Sequence, residues 1–220
     1  MSRYRGPRLR ITRRLGDLPG LVRKASAKSN PPGQHGASPQ KPSQYSIRLK
    51  EKQKLRFNYG INEKQLVSYV KKARRSKGST GEKVLQLLEM RLDTILYRSG
   101  FAPTLRASRQ LVTHGHICVN NDRVTIPSYQ CKPGDSFIVK NKKASRQLVQ
   151  SHFEQTFGGI ISTSDAKILN PVLGVSGPST SYLKFDPKNF SGEVKQFISR
   201  SDVSCPVNEF LIIEYYSRKV

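Results

Sequence analysis

Residues 90–100 read MRLDTILYRSG, and the role of Asp93 within them decides what kind of fold this chain can have. A carboxylate at the head of an apolar run is either a catalytic group aimed into a pocket or a charge fixed in the first turn of a packed helix. Leu92, Ile95 and Leu96 recur at helical spacing and Gly100 ends the run, so the stretch predicts a short buried helix with Asp93 at its positive end. The expected partner of the carboxylate is Arg91 or a basic residue of the next helix. A catalytic Asp93 would need a large partner fold after the motif, and the chain beyond residue 155 is too short and too rich in Gly and Ser to build one.

Downstream, Pro103-Thr104 opens a second helix in which Ala107, Leu111 and Val112 share a face before Gly115. The period then changes to two. Ile117 and Val119 point to a core, Asn120-Asn121 suits the left-handed conformations of a tight turn, and Val124, Ile126 and Phe137-Ile138-Val139 suggest further strands around Pro133-Gly134-Asp135. Upstream, Ser79 and Glu82 have capping-box spacing, and Val84, Leu85, Leu88 and Leu92 continue at helical intervals. Between Ile47 and Ala73 two short helices fit: Leu55 and Tyr59 precede Gly60, then Asn62 offers an N-cap ahead of Leu66, Tyr69, Val70 and Ala73. Phe57, Tyr59 and Tyr69 read as core rather than base-stacking aromatics. Residues 25–46 are dominated by Ser, Pro, Gln and Gly and predict an irregular arm. From Phe153 to Asn189 the chain is again Gly-, Ser- and Pro-punctuated, with YLKF as its one candidate strand. The terminal NEFLIIEYYSRKV is read as a helix, because Asn208 can cap it, Glu209 occupies its first turn, and Arg218 and Lys219 lie at its end.

Composition narrows the function. Among 220 residues, 39 Lys and Arg face 15 Asp and Glu, a net charge of +24 that calls for a polyanionic partner, nucleic acid first. The charge is uneven: residues 1–90 hold 22 basic and 5 acidic residues (+17), residues 91–155 hold 10 and 4 (+6), and residues 156–220 hold 7 and 6 (+1). No apolar run reaches the ~20 residues of a membrane span, and the Arg-studded start has no hydrophobic signal core, so no membrane role is expected. An Arg-rich, acid-poor start leaves an organelle transit peptide open. Cys118, Cys131 and Cys205 are scattered, with no Cys-x-x-Cys pair, which argues against a disulfide scaffold or a thiolate zinc site.

RYRGPRLR near the start, PPGQHGA at 31–37, SQYSIRLKEKQKLRFNYGI at 43–61, KGSTGEKVLQLLEMRLD at 77–93, Leu105 to Val112, HGHICVN at 114–120, IPSYQCKPGD at 126–135 and NEFLIIEYYSR at 208–218 together resemble the small-subunit ribosomal protein S-four family, in its chloroplast or cyanobacterial form. The resemblance covers almost the whole chain and leaves about 156–190 unmatched. It implies an α+β protein: a basic extended N-terminal arm (1–45), and a discontinuous helical domain of residues 46–90 completed by 190–220. Into that domain is inserted an RNA-binding module (91–155) of two helices packed on a small antiparallel sheet, followed by an irregular connection (156–189). It also implies binding to the 5′ domain of small-subunit rRNA early in assembly, an influence on decoding accuracy, neighbouring ribosomal proteins as partners, and residence in the plastid stroma. Because the match begins at residue 2, it speaks against a removable transit peptide.

Three departures from the family pattern matter. The arm lacks the cysteines that hold zinc in many bacterial members, so no metal is expected and no cofactor. Ser38, Pro39 and Gln40, with only Lys41, stand where the family bunches basic residues at the messenger channel, which puts contact with mRNA in question. The sheet turn reads Asn120-Asn121-Asp122, with Arg123 next, in place of Asn-Gly and a basic residue.

The candidate RNA contacts are Arg3, Arg5, Arg8, Arg10, Arg13 and Arg14 in the arm, Lys50, Lys52, Lys54 and Arg56 in the first helix after it, and Arg106, Arg109, His116, Arg123 and Lys132 in the module. Arg106 and Arg109, three apart, share a helix face. His114, His116 and Cys118 share one side of a strand, but no fourth ligand is near, and an RNA-facing His116 is simpler than a metal site. The rival class is an RNA-modifying enzyme such as a pseudouridine synthase, which carries the same kind of module. That reading needs a Thr three residues after the Asp, and residue 96 is Leu.

Overall fold

The computed structural model describes residues 4–22, 24, 26–36, 41–157, 181–186, 189–203 and 205–217. The chain forms two compact units, one of Met1–Leu85 with Cys205–Val220 and the other of Gln86–Ser204.

The first unit is helical. Helix α1 spans Leu9–Leu15, α2 Gln44–Asn58, α3 Glu63–Arg74 and α8 Glu209–Ser217, while α4 (Thr80–Glu89) starts in this unit and ends in the second. The cap expected at Asn62 is present, its amide donating to Gln65 Oε1 at 3.1 Å in a capping box, and Ser43 Oγ also caps α2 by accepting from the Ser46 amide at 3.2 Å. Gly60, at φ +56°, turns the chain between α2 and α3. The terminal apolar run is helical, with the Phe210 amide donating to Asn208 Oδ1 at 3.1 Å, and α8 packs on α2 and α3. Arg218 and Lys219 lie outside the described residues. Leu55, Tyr59, Leu66, Val70, Ile212 and Tyr216 are buried, each apolar side chain contributing about 1.5–3 kcal/mol.

The N-terminal segment departs from the extended form expected of it. The basic arm is not extended throughout, because residues 9–22 fold back onto α2. Ile11, Leu18 and Leu21 form a small core with Leu15, Val22 and Phe57, and the Gly20 amide donates to the buried Asn58 Oδ1 at 3.0 Å. Arg13 Nε reaches the Asn30 carbonyl at 2.8 Å and ties down the following loop.

The second unit carries the module. Helices α5 (Leu92–Arg98) and α6 (Leu105–Thr113) pack on each other, with Thr104 Oγ1 accepting from the Ala107 amide at 3.3 Å to start α6. Strands β1 (Ile117–Val119), β2 (Asp122–Arg123), β3 (Ser136–Val139), β4 (Leu183–Asp186) and β5 (Ser191–Val194) form one antiparallel sheet in the order β2-β1-β3-β5-β4. Asn120 and Asn121 take the left-handed conformations expected of the β1–β2 turn, at φ 50° and 71°.

Three features of this unit depart from the sequence reading. Val124 and Ile126 form no strand, and Ile126 is 60% exposed. Residues 127–131 instead run along the head of α5, where the amides of Leu92, Asp93 and Cys131 bond the carbonyls of Tyr129 (2.9 Å), Pro127 (3.2 Å) and Met90 (2.9 Å). A third helix, α7, spans Lys143–Phe157 and buries Ser145, Val149 and Phe153, four residues apart. The segment expected to rejoin the helical domain from residue 190 first adds β5 to the module sheet, pairing Phe137 with Gly192, and returns only at Cys205. Of the connection 156–189, residues 158–180, 187 and 188 lie outside the described residues.

Candidate nucleic-acid interface

Asp93 is fully buried, in the first turn of α5. Arg91 grips it with Nε to Oδ1 at 2.9 Å and Nη2 to Oδ2 at 2.7 Å, and Arg109 of α6 adds Nε to Oδ2 at 2.7 Å. Ser108 Oγ donates to the Asp93 carbonyl, and Thr94 Oγ1 donates to Leu88 O at 3.0 Å, so the polar groups around the carboxylate are engaged with one another. A carboxylate with no exposed surface, held by two guanidiniums, cannot touch a substrate; its chemistry is to lock α5 to α6. Nearby a second buried pair has the same form, with Arg98 donating Nε to Glu89 Oε2 at 3.1 Å and Nη2 to Glu89 Oε1 at 2.5 Å.

The sequence reading puts Arg109 on the RNA side of α6, and the structure does not. The residue is 8% exposed and bound to Asp93, so its role is architectural. The correction follows from α6 itself, where Leu105, Ser108, Leu111 and Val112 are buried with Arg109, placing it on the packed face. Arg106 is half-buried.

In the helical unit the candidates divide. Lys52 is 5% exposed, pairs with Glu63 Oε2 at 3.0 Å and lies 4.9 Å from the Tyr215 ring centroid, so it too is structural. Burial pushes the Glu63 carboxyl up, but hydrogen bonds from Tyr216 and Lys52 outweigh it and hold the group below its ordinary value. Lys54 pairs with Glu51 at 2.6 Å, and Arg56 donates to Gln53 at 3.3 Å while lying over Phe57. Arg5, Arg10, Arg14 and Lys50 are exposed, Arg8 and Arg13 half-buried, and Arg3 lies outside the described residues. Lys41 is exposed, whereas Ser38, Pro39 and Gln40 lie outside them.

Sequence reasoning passes over one basic cluster. Lys71, Lys72, Arg74, Arg75 and Lys77 are all exposed at the end of α3, with Ala73 buried between them. The signal is legible as five cations within seven residues. A run at a helix C-terminus also suits the macrodipole, which is why it passes for a solvated helix end.

In the module Lys132 is exposed, its backbone amide held by Asp135 Oδ2 at 2.7 Å. His116 and Arg123 come together at the start of β1. Arg123 Nη2 reaches the His114 carbonyl at 3.5 Å, the His114 and His116 rings stand 6.1 Å apart, and His116 Nδ1 lies 2.9 Å from Ser145 Oγ. Burial, then the charges of His114, Arg123 and Lys142, keep the His116 imidazole below its ordinary pKa. Ile117 and Val119 face the core and Cys118 is half-buried on the other side, as the alternation predicts. Among the described residues no group of three His, Cys, Asp or Glu could hold a metal ion. Burial, together with nearby Asp135 and Asp93, pushes the Cys131 thiol up to about 12, so it is an unreactive core residue.

Gly115 links α6 to β1 at φ +72°, and a Cβ placed there would collide with the Arg123 guanidinium. Gly115→Ala is therefore expected to cost about 1–3 kcal/mol and to displace that guanidinium. Chemical denaturation checks the first effect and RNA affinity the second; an alanine variant of unchanged stability would refute the close packing.

Residues 3–89 match the model described as the Ribosomal protein S4/S9 N-terminal domain, and residues 90–137 match the S4 domain. The boundary between the two matches falls four residues after the structural division at Leu85. The chain is 55% identical over 219 residues to the small ribosomal subunit protein uS4c of Pyropia yezoensis and 50% identical over 220 residues to that of Nephroselmis olivacea. It is 54% identical over 219 residues to small ribosomal subunit protein uS4 of Synechocystis. Each comparison covers 100% of both chains. A full-length likeness of this order, on a module whose acidic residue is sealed in its core, means that the chain belongs to the uS4 family of small ribosomal subunit proteins.

Proposed function

We propose that this protein is a structural, non-catalytic constituent of the small ribosomal subunit, binding the 5′ domain of the small-subunit rRNA, nucleating assembly and influencing translational accuracy. The observation that carries the reading is the full-length identity of 50–55% to relatives named as small ribosomal subunit proteins. The charge supports it, since the +17 of residues 1–90 supplies the salt-dependent attraction that phosphate binding requires. Neighbouring ribosomal proteins are its other partners, and the plastid-type names of several relatives favour the plastid ribosome. Lys41, which is exposed, is the cation kept where the family bunches basic residues and is the candidate for contact with incoming messenger. The alternative, a pseudouridine synthase-like enzyme, is opposed by the burial of Asp93.

The exposed cations Arg5, Arg10, Arg14, Lys50, Arg123 and Lys132 carry the contacts in this reading, joined by the 71–77 cluster. Binding of the purified chain to a transcript of the 5′ domain, against an equal length of large-subunit rRNA at the same salt, tests it. Preference for the 5′ domain is expected, and equal binding to both would overturn the proposal.

A further inference from the structure

The start of β1 gathers more basic chemistry than its fold needs. His114 caps α6, His116 enters β1, Arg123 lies across Gly115 from β2, and Lys142 precedes the first turn of α7. The charged groups that bear on His116 are His114, Arg123 and Lys142, each a cation or able to become one. Its Nδ1 is taken by the Ser145 hydroxyl at 2.9 Å, and Ser145 is 2% exposed, so the ring is fixed in orientation. That hydrogen bond engages Nδ1 and leaves Nε2 on a ring that is only partly covered. The amides of α7, a 15-residue helix, begin beside the same ring and add positive potential.

We propose that His114, His116, Arg123 and Lys142 form a docking site for one backbone phosphate of the bound RNA, and that docking is coupled to uptake of a proton by His116. The inference rests on the rRNA-binding reading above and adds to it a place and a linkage. No covalent step is involved: the imidazole takes a proton from solvent at Nδ1 or Nε2, and the resulting cation donates from Nε2 to a phosphate oxygen while Nδ1 donates to Ser145 Oγ.

The sign follows from the surroundings. In the free protein, burial and neighbouring positive charge hold the imidazole below its ordinary value of 6.5, and a phosphate neutralises those charges and favours the protonated ring. The pKa is therefore higher in the complex than in the free protein. The extra affinity is complete below the free-state pKa and disappears as pH rises through the bound-state pKa. Each unit of difference allows up to about tenfold in affinity.

The test is affinity of the full chain for the 5′-domain transcript between pH 8 and pH 5.5 at constant ionic strength, for the parent and for His116→Gln. The glutamine can keep a hydrogen bond to Ser145 but cannot titrate. Parent affinity is expected to rise several-fold more than that of the variant as pH falls, with the two close at pH 8. Identical pH dependence would overturn the proposal. Because loss of an imidazole could disturb the loop, the His116 ring is also followed by NMR in the parent protein. Its midpoint is expected to move up when RNA is added, and to move little with millimolar inorganic phosphate alone. An unmoved midpoint in the RNA complex, or a shift with inorganic phosphate that RNA does not reproduce, would overturn it as well. Absence of RNA binding at every pH would instead count against the function proposed above.

Discussion

Asp93→Asn is expected to destabilise the module by about 3–5 kcal/mol, the range for breaking a buried ion pair from one side. Asparagine keeps the shape of the side chain but leaves the guanidiniums of Arg91 and Arg109 without the charge they were desolvated to meet. The same carboxylate also faces the amide end of α5, so the dipole contribution disappears with it. Denaturant unfolding of the purified variants measures this, with Arg5→Gln, an exposed substitution, expected within about 0.5 kcal/mol of the parent. Arg109→Ala should also destabilise, and the double variant should lose less than the sum of the two because they share one interaction. RNA binding by Asp93→Asn should return at low temperature, where the module refolds. A variant as stable as the parent would show that the buried triad does not hold the module together.

The second large effect concerns the basic N-terminal segment. Replacing Arg5, Arg10 and Arg14 with Gln removes three exposed charges and leaves the Ile11, Leu18 and Leu21 core in place. The plot of log affinity against log salt for the 5′-domain transcript should flatten by roughly 0.7–0.9 for each phosphate no longer neutralised, up to about two units or a little more. At moderate salt this weakens binding by an order of magnitude or more. Deleting the whole segment would be a poorer test, because residues 9–22 support α2 and their removal exposes Phe57. An unchanged slope in the triple variant would mean that these arginines do not meet RNA.

The two expectations differ in how far sequence can lead to them. The Asp93 stretch is legible because local signals agree: apolar spacing, a closing glycine and a carboxylate at the positive helix end all point to one packed helix, with Arg91 or a basic residue of the next helix as partner, and both kinds of partner are found. The Asn120-Asn121 turn and the caps at Asn62, Thr104 and Asn208 are legible for the same reason, since each is fixed by residues within four positions. Arg109 is not. Whether an arginine meets solvent or a buried carboxylate sixteen residues away depends on how α5 and α6 pack, and spacing within α6 does not record that. Lys52 misleads for the same reason, its partner Glu63 lying on the next helix.

Helix α1 is hidden by its own charge, because four of residues 8–14 are arginines and Ile11 is the one buried residue in the helix. Helix α7 is hidden by Ser145, a polar member of the buried stripe that continues through Val149 and Phe153. Strand β5 pairs with β3 across more than fifty residues of chain, and SGEV has little strand propensity of its own. In each case tertiary packing outweighs the local pattern.

This chain works as a fixed RNA-binding part of the small ribosomal subunit rather than as an enzyme acting on many RNAs. Crosslinking it to total RNA in the organelle or cell that makes it, then sequencing the attached fragments, tests that claim most directly. Crosslinks concentrated in the 5′ domain of the small-subunit rRNA are the expected result. Crosslinks spread over transfer RNA or large-subunit rRNA, with pseudouridine at the crosslinked sites that disappears in an Asp93→Asn strain, would contradict it.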